Sequence, residues 1–105
     1  MPPDSPVACS LSANDLRTRL AEMTALGAAA LVDARRHGTR AELRFAADAG
    51  VRGRVDAIVA AESQCCPFLA MRVTEAPGLI VLVVEAQAGA EVVLRELVDA
   101  WDRRP

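Results

Sequence analysis

The chain has 105 residues, 52% hydrophobic and 25% charged, which suits one domain with a buried core and is too apolar for a disordered tail. All twelve basic residues are Arg and there is no Tyr, so Lys Schiff-base chemistry, a phosphate-loop Lys and Tyr acid–base work are excluded. A formal net charge of −2 and an aromatic content of 3% argue against a nucleic-acid surface or a base-stacking platform.

Residues 1–6 carry Pro2, Pro3 and Pro6 and read as a flexible arm ahead of a single α+β domain at 7–105. The N-terminus lacks the basic start and apolar segment of a secretory signal. The longest apolar run, Leu79 to Val84, is far shorter than the roughly 20 residues that span a bilayer. A soluble cytoplasmic protein without membrane or nucleic-acid partners is the expectation. No internal repeat is evident in the residues.

Residues 7–11 form a short apolar stretch that suits an edge strand. Ser12 followed by Asp15 is a helix start signal. Leu16, Leu20, Met23 and Gly27 then recur at helical spacing, with Arg17, Arg19 and Glu22 mostly off that line. This predicts a first amphipathic helix ending near Gly27. Residues 30–36 and 40–46 flank His37-Gly38-Thr39 and suggest a hairpin, although residues 28–34 can also prolong the helix. The second arm alternates cleanly, with Ala41, Leu43 and Phe45 on one face and Arg40, Glu42 and Arg44 on the other.

Asp48 can cap a second helix with Val51, Val55, Ile58, Val59 and Glu62 on one stripe. Pro67 disfavours helical geometry at Cys66, so this helix must stop about there. Residues 68–74 read as a strand, Pro77-Gly78 as a turn and residues 79–85 as a central strand, apolar on both faces. A third helix after Gly89 carries Ala90, Val93, Leu94, Leu97, Val98 and Trp101 in a narrow stripe, with Trp101 expected in the core or at a dimer contact. The predicted order is β-α-β-β-α-β-β-α. The simplest architecture is an α+β two-layer sandwich, with helices packed on one face of a largely antiparallel sheet. So small a core makes a homodimer the expected assembly.

Chemistry concentrates at Glu62-Ser63-Gln64-Cys65-Cys66-Pro67-Phe68-Leu69. Glu62 precedes Cys65 by three residues and Cys66 by four, so carboxylate and thiols share a helix face. That face is the apolar one. Partial desolvation of Glu62 would suit proton exchange with a thiol or a role at a metal. The thiols fall at the helix C-terminus, whose negative dipole end opposes thiolate formation unless an Arg or a metal supplies positive charge. A thiophilic ion, Cu, Hg, As or Zn, would do so directly. Cys9 becomes a third ligand if the first strand lies beside the strand after Pro67. Separated C-x-x-C pairs typical of zinc sites are absent from the chain.

Plainer readings stand beside this one. Free Cys is among the most buried residue types, and simple packing accounts for Cys9 in particular. A vicinal disulfide between Cys65 and Cys66 requires a strained ring and is uncommon. His37, the single His, reads as a solvated turn residue, so no Cys–His catalytic pair is expected. Arg35, Arg36 and Arg40 read as a solvated face, and the glycines form no phosphate-binding pattern.

The run Glu62-x-x-Cys65-Cys66-Pro67-Phe68-Leu69 resembles a group of small bacterial proteins of about this length that carry E-x-x-C-C-P-F-L. The likeness extends to Cys9-x-Leu11, to Leu43-Arg44-Phe45, to Asp48-x-Gly50-Val51-Arg52 and to the C-terminal helix. It implies a small cytoplasmic α+β protein connected with thiophilic metals. Ala70-Met71 stands where members often carry a polar or aromatic residue, so the pocket lining differs. Three readings follow. The first is a metal-binding protein for sensing or resistance, with Cys9, Cys65 and Cys66 as ligands and a thiophilic ion as cofactor. The second is an enzyme using Cys65 or Cys66 on a small molecule, with Glu62 as acid–base group. The third is a non-catalytic dimeric interaction domain.

Overall fold

The computed structural model describes residues 13–65 and 67–102. In chain order these form α1 (Ala13–Ala30), β1 (Leu31–His37), β2 (Arg40–Ala46), α2 (Val51–Cys65), β3 (Leu69–Ala76), β4 (Leu79–Ala86) and α3 (Glu91–Trp101). The strands make one sheet of order β1-β2-β4-β3, every neighbouring pair antiparallel. The helices pack on the sheet, and the fold is α+β. The strand expected at 7–11, the arm at 1–6 and the Ser12 start signal lie outside the described residues.

Strand alternation separates the faces as the pattern of β2 requires. Ala41, Leu43 and Phe45 are buried beneath the helices, opposite Val84, Leu82 and Ile80 of β4. On the outer face, Asp33, Arg35, Arg40, Glu42, Arg44 and Glu85 form a ladder of ion pairs, from Arg40–Glu85 at 2.8 Å to Arg44–Asp33 at 3.9 Å. Val83 also lies on this outer face, yet it is buried. Its register partners on the two neighbouring strands are Glu42 and Arg72, residues whose long side chains carry aliphatic stems able to cover an apolar neighbour. That is why β4, the central strand expected from its composition, reads apolar on both sides.

Two readings of the residues need correction. The first helix does not end near Gly27 but runs on to Ala30, directly into β1. Gly27 has no positive φ and is not a cap; it is buried where the end of α3 crosses α1. The second helix starts at Val51, and Asp48 contributes its backbone carbonyl to the Val51 N–H at 3.1 Å. The turn before it is closed by Gly50 at φ 82°.

The topology also contains a repeat that the residues do not announce. The units α1-β1-β2 and α2-β3-β4 have the same helix–hairpin order, and β2 pairs with β4 about Leu43 opposite Leu82. The two hairpins therefore meet back to back across the centre of the sheet. Side chains diverge between the units while the backbone pattern persists, because only apolarity on one face is required. The third helix completes the core: Leu94, Leu97, Val98, Ala100 and Trp101 are buried, and the Trp101 ring meets Phe45 edge-on at 5.1 Å and 67°.

Gly53 gives a direct check on helix propensity. It lies within α2, with no positive φ, and a β-carbon added there would meet nothing within 4 Å. Gly53→Ala should stabilise the domain by about 0.5–1 kcal/mol through reduced unfolded-state entropy. Equilibrium urea unfolding measures this, and a lowered midpoint would contradict the open environment of this helix face.

Candidate functional site

Helix α2 is built as its stripe requires. Val51, Val55 and Ile58 are buried, and the next residue on that line is Glu62, 5% exposed and the single buried charged side chain among the described residues. A carboxylate there must be neutralised or hydrogen-bonded. Arg19 of α1 meets it, Nη1 to Oε2 at 3.2 Å, with the two side chains only 17% and 7% exposed. Glu22, one turn further along α1 and half exposed, stands 3.6 Å from Arg19 Nε. The result is a mostly buried ion pair that ties α1 to α2.

The helix then ends at Cys65, ahead of Pro67, and has no basic residue in its last turn. The structure thus places Glu62 and the backbone of Cys65 on one helix, and brings Arg19 to the carboxylate. Cys9 and Cys66 lie outside the described residues, as does the Cys65 side chain. The expected three-sulfur set therefore falls largely on positions the structure does not describe. Among the described residues there is no group of three or more His, Cys, Asp or Glu placed to hold a metal ion.

Arg19 is the residue that sequence reasoning misses. The apolar line through Leu16, Leu20 and Met23 leaves it on the polar side of α1, yet it is four residues before Met23, and Met23, Leu26 and Ala30 are buried at helical spacing. Extending that buried line backwards lands on Arg19. A cation and an anion on the inner lines of two helices signal an interhelical ion pair.

A groove of about 340 Å³ opens between α1 and α2, lined by Arg19, Glu22, Arg54, Ala57, Ile58 and Ala61. A second hollow, about 220 Å³, lies on the outer sheet face beside Arg35, His37, Arg40 and Glu42. His37 is exposed on that outer face, away from the helix layer, as expected for a solvated residue. Arg35 and Arg40 belong to the ion-pair ladder, while Arg36 is exposed at the end of β1.

No described helix is long and apolar enough to cross a membrane. Comparison with known protein families, curated proteins and solved structures returned no match.

Proposed function

We propose that this chain is a small cytoplasmic thiol protein that binds a thiophilic metal ion, Cu, Hg, As or Zn, through Cys65 and Cys66, in metal sensing or resistance. Cys9 is the third ligand in this reading, and a homodimer its assembly. The observation that carries it is the buried Glu62–Arg19 pair on the inner line of α2, one turn before the vicinal cysteines. A folded domain keeps a charge inside only at a cost, and this one precedes Cys65 and Cys66 by three and four residues in the chain. The donor chemistry fits: thiolates favour soft ions, and binding such an ion displaces the thiol protons at a helix end that offers no cation of its own. Glu62 then acts behind the ligands, as a hydrogen-bonding or proton-accepting carboxylate.

The test is uptake of Hg(II) and As(III) by protein purified without oxygen, followed by native mass spectrometry and a free-thiol count. Stoichiometric uptake that blocks two or three thiols is expected, together with its loss in a folded Cys65→Ser/Cys66→Ser variant. Unchanged stoichiometry in that variant overturns the proposal.

Arg19 lends support to a second reading, a cysteine enzyme acting on a small molecule with Glu62 as acid–base group, because it supplies a cation near the end of α2. The pH dependence of alkylation separates the two. An apo-protein midpoint at or above the ordinary free-thiol value counts against the enzyme.

A further inference from the structure

We propose that the groove between α1 and α2 binds a short aliphatic dicarboxylate. The proposal uses none of the cysteines and stands apart from the metal reading.

Arg19 points to an anion. A guanidinium has five N–H donors, and this one is largely buried, with its side chain 17% exposed. Among the described residues it makes one hydrogen bond, to Glu62. The Glu22 carboxylate is too distant at 3.6 Å to be a second. No Arg19 nitrogen is sealed away without a partner, and the residue lines the groove. Glu62 holds the group from behind, which fixes its orientation before any ligand arrives.

The rest of the groove supplies length and a second charge. Ala57, Ile58 and Ala61 form an apolar floor, and the two alanines leave it wide. Arg54 lines the same groove from the other end of α2, about 10 Å along the helix axis from Ala61. Two guanidiniums lining one groove with an apolar floor complement, in charge and polarity, two carboxylates on a short aliphatic chain. A monocarboxylate would engage one cation only. Glu22 is the opposing charge on the rim, and being half exposed it can swing into water when the ligand enters.

The experiment is titration of the uniformly ¹⁵N-labelled full chain with glutarate, with butyrate and 1,5-pentanediol as comparators. Glutarate should produce saturable shifts centred on residues 19–22 and 54–61, with butyrate about fivefold weaker and the diol silent. Arg54→Gln should reduce glutarate to the butyrate level. Glu22→Gln should tighten it about threefold, a gain that structural damage would not mimic. Ala57→Leu should fill the groove and abolish the shifts without unfolding the chain. The Cys65→Ser/Cys66→Ser variant should bind glutarate like the wild type, so failure of the metal reading leaves this result untouched. Absence of saturation by about 50 mM overturns the proposal. So do equal affinity for glutarate and butyrate, and retained binding in a folded Ala57→Leu variant.

Discussion

Gly27→Ala should destabilise the domain by about 3 kcal/mol, a large effect for adding one methyl group. A β-carbon at Gly27 would stand 1.8 Å from the Trp101 carbonyl oxygen and 2.8 Å from its carbon. Both are backbone atoms, so no rotamer change relieves the clash, and the end of α3 must move away from α1. That movement would strain the Thr24 Oγ1–H bond to the Ala100 carbonyl, 2.9 Å long, and lift Trp101 from its edge contact with Phe45. Trp101 is 1% exposed and is among the largest fully buried side chains. The urea midpoint of Gly27→Ala, compared with that of Gly53→Ala, isolates the effect: the same substitution should lower stability at one helical glycine and raise it at the other. A wild-type midpoint for Gly27→Ala would mean that α1 and α3 do not cross this closely.

Arg19→Met should cost about 3 kcal/mol, because Glu62 would lose its guanidinium while its carboxylate stays buried. Replacing both members, as Arg19→Met/Glu62→Leu, should restore most of that loss, since a well-packed apolar pair can equal a buried ion pair in stability. A double-mutant cycle by chemical unfolding measures the coupling. Added salt should change it little, because both side chains are mostly shielded from solvent. Additive costs in the cycle would show that the two residues act independently and that the pair does not tie the helices. The same double variant also separates structure from function. If it is stable yet takes up less Hg(II), the pair serves the thiol site as well as the fold.

Much of the architecture is legible in the residues because each element advertises its buried side by period. The alternation of Ala41, Leu43 and Phe45 marks β2, and the unbroken run from Leu79 marks β4 as central. The stripe through Val55 and Ile58 correctly puts Glu62 inside α2. Gly27 is misread because a glycine can serve a cap or a close helix crossing, and the residue alone does not distinguish them. Arg19 is misread because a long cationic side chain on a helix is usually solvated, and its partner lies 43 positions away.

The sequence by itself therefore determines the three helices and two hairpins, the buried faces of β2, α2 and α3, the end of α2 at Cys65 and the α+β class. These follow from local periodicity and from backbone rules at Gly and Pro. Only the tertiary structure decides the order β1-β2-β4-β3, the back-to-back pairing of the two hairpins, the α1–α3 crossing at Gly27 and the Arg19–Glu62 pair. Each of those depends on two segments distant in the chain. Their contact is selected by how well the whole core closes, not by the preference of either segment alone.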